Sequence, residues 1–201
     1  MNTSLVLREV RRKSIHVIPG FLAIPFVIWL GRLIAALTAL FFFTIYTLNE
    51  ISLRYGLRWR VPIAYHTYTV MARREELEKK TFIGTVYFWG LTLLIILVLP
   101  PVPAAAAIMI SSLGDAAAAI IGQAYPYPRN PLNKRKSIPG TLAMYLVSLG
   151  ILLLLGYSLV ASLITALIPT IAESATRVSV NDEITVPVAA AVSAYLAYLY
   201  L

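Results

Sequence analysis

Long apolar runs dominate this chain and place the strongest constraint on its fold. Seven runs have roughly the 20-residue length that crosses a bilayer as a helix. They cover residues 15–31, 32–49, 82–100, 102–124, 138–156, 158–174 and 184–201. None of them alternates apolar and polar residues as barrel strands do. The sequence therefore predicts an all-α fold: a transmembrane helical bundle of about seven spans that forms a single integral membrane domain over residues 1–201.

The composition agrees with a membrane protein. Hydrophobic residues make up 59% of the chain and charged residues 13%, whereas soluble domains have about 25% charged residues. The absence of cysteine excludes disulfides and thiolate metal sites. Basic cytoplasmic loops that contact anionic lipids explain the net charge of +8, so no nucleic-acid partner is expected.

The distribution of charge predicts how the bundle lies in the membrane. Of the 17 lysines and arginines, all except Arg32 fall in the N-terminal segment or in residues 50–81, 125–137 and 175–183. Because cytoplasmic loops carry the excess of Lys and Arg, the N-terminus is predicted to be cytoplasmic. All nine acidic residues fall on or toward the same side. We therefore expect one polar site at the cytoplasmic face, with residues 50–81 suited to an amphipathic segment on the membrane surface.

One carboxylate, Asp115, interrupts the fourth apolar run. It lies about twelve residues into that run, roughly 18 Å along a helix axis. Small residues up to Gly122 share its helix face, so a neighbouring helix or a ligand can approach the backbone there. A packing seam in which Ser111 or Ser112 satisfies Asp115 is the alternative. A carboxylate in this setting is costly without a cation, so Mg²⁺ or a Lys or Arg partner is expected.

A basic segment leads into the fifth apolar run. It reads Asn133-Lys134-Arg135-Lys136-Ser137-Ile138-Pro139-Gly140. Ser137 is a favourable helix N-cap, Pro139 suits the first turn, and Gly140 leaves the backbone open to close approach. Three cations before a helix N-terminus suit an anion, and phosphate is the commonest. The plainer alternative is that these cations only set the membrane orientation.

Other ionisable residues belong to the same predicted face. The N-terminal segment has four with the spacing of one helix face: Glu9, Arg12, Lys13 and His16. A lone histidine in such a position also suits a structural hydrogen-bonding role. The last loop supplies three further carboxylates: Glu173, Asp182 and Glu183. With Asp115, these are the groups that bind Mg²⁺ (or Mn²⁺) together with substrate phosphates in phosphoryl transfer.

Four sequence blocks extend from residue 9 to residue 187. They are Glu9-Val-Arg-Arg-Lys-Ser-Ile-His16, Ser112-Leu-Gly-Asp115 with Ile120-Ile-Gly122, Lys134-Arg-Lys-Ser-Ile-Pro-Gly-Thr141, and Glu173 with Asn181-Asp-Glu-Ile-Thr-Val-Pro187. In this order the blocks resemble the polyprenol kinase family, which includes dolichol kinase, phytol kinase and CTP-dependent diacylglycerol kinase. The chain departs from the family pattern at Gln123-Ala-Tyr-Pro126 and at Asn181-Asp182-Glu183.

The resemblance implies a multispan enzyme that transfers the γ-phosphoryl group of CTP, or another nucleoside triphosphate, to a lipid hydroxyl. The catalytic candidates are Asp115, His16 and Asp182, and the metal ligands would be Asp115, Glu173, Asp182 and Glu183. The nucleotide would be held by Arg12, Lys13, Lys134, Arg135, Lys136, Ser137 and Gly140. The lipid alcohol would arrive from the bilayer and the nucleotide from the cytoplasm.

Two other functions fit parts of the pattern. A CTP-dependent phospholipid cytidylyltransferase also places a Gly-Asp pair and a basic Pro-Gly segment at the cytoplasmic face. The sequence predicts a single interior carboxylate and no acidic cluster around the basic segment, which favours the kinase. A small transporter, or a scaffold with an anion pocket, would need polar residues along the full membrane depth, and the outer half has almost none.

Overall fold

The computed structural model describes residues 3–176 and 179–200. Within these residues the chain is all-helical, and its extended pairing is a single bridge between Arg129 and Ser137. The predicted all-α class is therefore confirmed. Each of the seven predicted apolar runs coincides with helical structure.

Eleven α-helices make up the described chain. In the N-terminal half, α1 spans Thr3–His16, α2 Ile18–Ala23 with a π-helical continuation over Ile24–Trp29, α3 Arg32–Arg54, α4 Pro62–Met71 and α5 Arg74–Lys79. In the C-terminal half, α6 spans Ile83–Val98, α7 Pro101–Met109, a π-helical segment Ile110–Gly114, α8 Asp115–Ala124, α9 Ile138–Leu154, α10 Leu159–Ala175 and α11 Ser179–Tyr198.

Within the described residues, two helical stretches are long and apolar enough to cross a membrane: α3, and the continuous stretch Pro101–Ala124. The apolar helices α6, α9 and α10 are shorter. Large apolar side chains also lie exposed around the outside of the bundle, among them Trp29, Leu33, Leu154 and Val160. An exposed apolar surface of this extent indicates a lipid or protein environment.

The alanine-rich helix α7 lies at the centre of the bundle. Its residues from Pro103 to Met109 are buried, and it packs against α2 and α11. Helices α8 and α9 also cross closely. A Cβ atom added at Gly140 would lie 2.7 Å from the Ala118 carbonyl oxygen and 3.0 Å from Gly122 Cα. The small residues after Asp115 therefore allow a neighbouring helix to approach, as predicted.

A break between α1 and α2 positions the residues just before it. Pro19 lies in the first turn of α2, where a missing N–H costs little. The Ser112 hydroxyl accepts a hydrogen bond from the Gly20 N–H at 3.2 Å and donates one to the His16 carbonyl. This serine ties the break to the π-helical segment before α8. The end of α1 is consequently held beside the start of α8.

The predicted polar segment, residues 50–81, is attached to the bundle through Glu50. This carboxylate, near the end of α3, is buried. It accepts hydrogen bonds from Thr81 Oγ1 at 2.6 Å and from the Phe82 N–H at 2.5 Å. Helix α4 also contacts α1 and α3. The segment thus lies against the end of the bundle that carries α1.

Candidate active site between two cavities

Two cavities meet at the end of the bundle that carries the charged residues. The apolar cavity has a volume of about 400 Å³, and its walls come mainly from α1 to α4 and α6. The polar cavity has a volume of about 320 Å³ and lies between α1, α8, the loop at 125–137 and the neighbouring ends of α9 to α11. Arg12 and Arg73 line both cavities. These two guanidinium groups therefore mark the boundary between an apolar and a charged space.

Four residues at this boundary form what we call the Asp115 cluster: Lys13, His16, Asp115 and Glu183. Lys13 Nζ pairs with Asp115 Oδ2, and His16 Nε2 lies 3.3 Å from the same oxygen. Ligand atoms of His16, Asp115 and Glu183 lie within 4.8 Å of one another. His16 and Glu183 line the apolar cavity, whereas Asp115 lines the polar one. The cluster is therefore accessible from both sides.

Local helix geometry explains why these side chains meet. Lys13 and His16 are three residues apart, so they share one face of α1. Asp115 directly follows the π-helical segment Ile110–Gly114, and such segments are frequent at functional sites. On its other side, the His16 ring packs against Phe88, with 5.2 Å between ring centroids. Contacts from two helices thus fix the position of the imidazole.

The predicted cation partner of Asp115 is Lys13, a residue that was expected to bind phosphate. Its side chain is only 2% exposed and is directed to Asp115. The serine alternative is wrong, because neither serine bonds to Asp115. The Ser111 hydroxyl donates to the Ala107 carbonyl at 2.7 Å, and Ser112 bonds at the break between α1 and α2.

Arg12 is held at the cavity boundary by an ion pair within α1. Its Nε lies 3.1 Å from Glu9 Oε2, and both side chains line the polar cavity. Burial raises the pKa of Glu9, but the hydrogen bond and charge of Arg12 outweigh burial, and the pKa falls below its ordinary value. Glu9 therefore stays ionised and keeps Arg12 oriented toward the cavity.

A second group, the Lys136 cluster, consists of Lys136, Glu173 and Asp182. Lys136 Nζ lies 2.8 Å from Glu173 Oε1 and 3.3 Å from Asp182 Oδ2, and it also donates to the Glu173 carbonyl. Burial, helped by the nearby charges of Asp115 and Glu173, raises the pKa of Asp182 to about 7 against the opposing charge of Lys136. The prediction that no acidic cluster surrounds the basic segment is therefore wrong.

The loop at 125–137 is organised by two asparagines. Asn130 Oδ1 accepts from the Leu132 N–H at 2.9 Å, and Asn133 Oδ1 accepts from the Arg135 N–H at 3.1 Å, as in Asx turns. Their amide groups donate to Thr141 Oγ1 and to the Thr176 carbonyl. Sequence reasoning missed this role, although two asparagines around a proline and a leucine are a recognisable turn signal.

The basic segment contributes unequally to the polar cavity. Arg135, Lys136, Ser137 and Gly140 line it, together with Arg129, which the sequence did not single out. Lys134 is exposed and is not part of the lining. The Ser137 N-cap is confirmed, since its hydroxyl accepts from the Gly140 N–H at 3.2 Å. Gly140 lines the cavity and also packs against α8, so the close approach expected at its backbone is made by a helix.

The predicted metal ligands divide between the two clusters. Asp115 and Glu183 belong to the Asp115 cluster, and two carboxylates with phosphate oxygens suit Mg²⁺. His16 Nε2 is buried and, among the described residues, has no hydrogen-bond partner, so it can supply a nitrogen ligand to Mn²⁺. Glu173 and Asp182 contact Lys136 instead. The side chain of Asn181, in the same sequence block, lies outside the described set.

The apolar cavity was not predicted. Its lining alternates small residues such as Ala35, Ala39 and Gly84 with aromatic ones such as Phe42 and Phe88. In the sequence these residues are indistinguishable from ordinary apolar helix faces.

Comparison with known proteins does not identify a relative. No family model matches the chain, and neither a curated protein nor a solved structure matches it. The site is therefore interpreted from its own geometry and chemistry.

Proposed function

We propose that the protein is a lipid-alcohol kinase that transfers the γ-phosphoryl group of CTP, or another nucleoside triphosphate, to the hydroxyl of an isoprenoid or related lipid. The position of the Asp115 cluster carries this proposal, because it lies where an apolar cavity meets a polar one. An apolar chain suits the first cavity and a triphosphate the second. The resemblance of four sequence blocks to the polyprenol kinase family supports the same function.

The enzyme is proposed to lie in the membrane as a bundle of seven spans, with its N-terminus and both polar clusters at the cytoplasmic face. The exposed apolar surface and the two helices of spanning length support membrane insertion. The gathering of lysines, arginines and carboxylates at one end supports the orientation. The nucleotide then enters from the cytoplasm, and the lipid enters the apolar cavity from the bilayer.

Cations around the polar cavity would neutralise the triphosphate. Arg12, Arg73, Arg129 and Arg135 line this cavity from three different segments. Arginine binds phosphate oxygens in pairs through its planar fork of donors, which fixes orientation as well as charge. In phosphoryl transfer such positioning and charge neutralisation provide most of the catalysis.

The lipid hydroxyl would be activated at the polar end of the apolar cavity. His16 lines this end, and its Nε2 lies 3.3 Å from Asp115 Oδ2, so this carboxylate would stabilise the imidazolium that forms when His16 accepts the hydroxyl proton. The alcohol oxygen bonds to the γ-phosphorus as the bond to the β-phosphate oxygen breaks. The products are a lipid monophosphate, CDP and the proton held by His16.

Asp115 and Glu183 would hold Mg²⁺ or Mn²⁺ together with nucleotide oxygens. The bound ion would supply charge neutralisation at the transferring phosphoryl group. Lys13, buried against Asp115, fixes the orientation of that carboxylate and offsets its charge when no ion is bound.

A CTP-dependent phospholipid cytidylyltransferase is the second candidate. The Lys136 cluster favours it, since it places two carboxylates beside the basic segment, where an enzyme that binds metal and pyrophosphate would need them. Against it, the apolar cavity ends at a histidine and a carboxylate, a setting that suits a bare hydroxyl.

The nucleotide product distinguishes the two reactions. Purified protein in lipid nanodiscs would be incubated with Mg²⁺, labelled CTP or ATP, and geranylgeraniol, phytol, dolichol or phosphatidic acid, with EDTA samples as controls. A kinase yields a lipid monophosphate and CDP or ADP. Pyrophosphate with a CDP-lipid would establish the cytidylyltransferase instead, and nucleotide binding without either product would reject both.

A further inference from the structure

The lining of the apolar cavity extends along two helices, and the helix rise gives its length. On α3 its lining runs from Ala35 to Tyr46, about 16 Å along the helix axis. On α6 it runs from Gly84 to Ile96, about 18 Å. The ionisable residues Arg12, His16, Arg73, Glu76 and Glu183 lie among the lining at one end. The lengths of the lining along α3 and α6 therefore agree, and in both helices the lining runs from the polar end of the cavity to its apolar end.

The apolar end of this cavity is closed by the core of the bundle. Val27, Ala35, Ile96 and Ile108 line it, and each is less exposed than 5%. Near the polar end the lining includes two side chains that are also exposed on the outside of the bundle: Ile18 and Ile63. A chain can therefore enter from the side near the cluster, but it cannot extend beyond the closed end.

We infer that the acceptor is a single-chain isoprenoid alcohol of about four isoprene units. Three bonds of an extended peptide backbone span about 3.5 Å, so the four chain bonds of an isoprene unit span roughly 4 to 5 Å. Four such units match the 16 to 18 Å over which the lining extends along α3 and α6. The inference rests on the proposed function for the reaction but on the cavity alone for the length.

Ala39, on α3, lies part-way along the cavity, so the size of its side chain tests the length assignment. It is 1% exposed and lines the cavity about 10 Å, or two isoprene units, from Tyr46. A larger side chain there would divide the cavity and leave room for a short chain only. Leu37, two residues earlier on the same helix, is exposed and is not part of the lining, so it provides a matched control.

A chain-length series tests the inference in the wild-type protein. We would measure kcat/KM for geraniol, farnesol, geranylgeraniol and dolichol in nanodiscs. The expected maximum is at geranylgeraniol, with dolichol lower by about tenfold or more because its further units have no space in the closed end. Equal or higher kcat/KM for dolichol would overturn the inference.

Substitutions then locate the length limit. Ala39→Phe should lower kcat/KM for geranylgeraniol about tenfold relative to geraniol, whereas Leu37→Phe should keep the wild-type order. Unchanged preference in folded Ala39→Phe would contradict the assignment. If that variant does not fold, Ile96→Ala provides the opposite test: by opening the closed end, it should raise the relative kcat/KM of an alcohol with five units, and no change there would equally contradict it.

Binding separates this inference from the proposed kinase. The melting temperature of the protein in detergent would be recorded with each alcohol and no nucleotide. A stabilisation that peaks at four units, in a protein that forms no phosphorylated lipid when nucleotide is supplied in the nanodisc assay, would keep the length assignment and reject the kinase. Stabilisation independent of chain length would reject the length assignment, whatever the turnover.

Discussion

The Asp115 cluster and the Lys136 cluster contain similar groups in different settings. Each has one lysine and two carboxylates, so each carries more negative charge than its lysine neutralises. Both lie at the same end of the bundle. They differ in access, because the Asp115 cluster faces both cavities and the Lys136 cluster faces the polar one.

The two lysines also use their donors differently. Lys136 contacts both of its carboxylates and a backbone carbonyl, which ties the loop at 125–137 to α10 and α11. Lys13 contacts Asp115, while His16 Nε2 in the same cluster makes no hydrogen bond among the described residues. Each network keeps one buried atom without a hydrogen bond among the described residues: His16 Nε2 in the Asp115 cluster and Glu173 Oε2 in the Lys136 cluster. The clusters therefore differ in the group that is left over, which is a nitrogen beside the apolar cavity in one and a carboxylate oxygen beside the polar cavity in the other. We propose that similar charges serve nucleotide binding in one cluster and chemistry in the other.

Removing the Asp115 charge should have the largest effect. We expect Asp115→Asn to lower kcat by about 100-fold or more, because charge stabilisation at the reacting phosphoryl group is lost. It should also destabilise the fold by roughly 3–5 kcal/mol, since Lys13 is left buried without its partner. Turnover of the lipid alcohol and thermal melting would be measured together.

A double variant separates these two effects of the Asp115 change. Lys13→Met combined with Asp115→Asn removes both buried charges, so the melting temperature should recover while activity stays low. Recovery of activity along with stability would show that Asp115 serves the fold alone. The Asp115 cluster would then lose its distinction from the Lys136 cluster.

His16 should have the next largest effect, and it should appear in kcat. General bases contribute about 10²- to 10⁴-fold, so we expect His16→Gln to lower kcat about 100-fold. KM for CTP should hardly change, because His16 lines the apolar cavity and not the polar one. His66→Gln is the control, since His66 is exposed and lines neither cavity. A higher KM for CTP at unchanged kcat would move His16 to nucleotide binding.

The parts of this site that follow from local spacing could be predicted from the sequence. The shared face of Lys13 and His16, the Ser137 cap and the need of Asp115 for a cation depend on helix geometry and the cost of burying charge. Each was confirmed by contacts within one helix turn or by a single ion pair. Run length and the lack of strand-like alternation likewise identified the apolar runs that are helical in the structure.

The parts that depend on which helices meet could not be predicted. Glu173 and Asp182 contact Lys136 across 37 and 46 residues of sequence, and no local pattern gives such a pairing. Lys13 was expected to bind phosphate, but the crossing of α1 and α8 places it beside Asp115. The sequence gives no sign that these two helices cross. The apolar cavity has the same origin, since it is space left between helices whose individual faces look like ordinary core.

The smallest effect is expected from Lys136, and it should appear in nucleotide affinity. Lys136→Met leaves Glu173 and Asp182 without their cation and releases the loop that carries Arg129 and Arg135. A hydrogen bond to a charged group is worth about 1.5–3 kcal/mol, and 1.4 kcal/mol is about tenfold in affinity, so KM for CTP should rise about tenfold. We expect kcat to change little, since Lys136 faces only the polar cavity.

Lys134→Met is the matched control, because Lys134 belongs to the same loop but is exposed and is not part of the cavity lining. Its KM for CTP should stay close to the wild-type value. Equal increases in both lysine variants would mean that the net charge of the loop, and not the Lys136 cluster, attracts the nucleotide. A loss of kcat in Lys136→Met as large as that in Asp115→Asn would place both clusters in the chemistry, because the loss of a purely binding group raises KM and leaves kcat nearly unchanged.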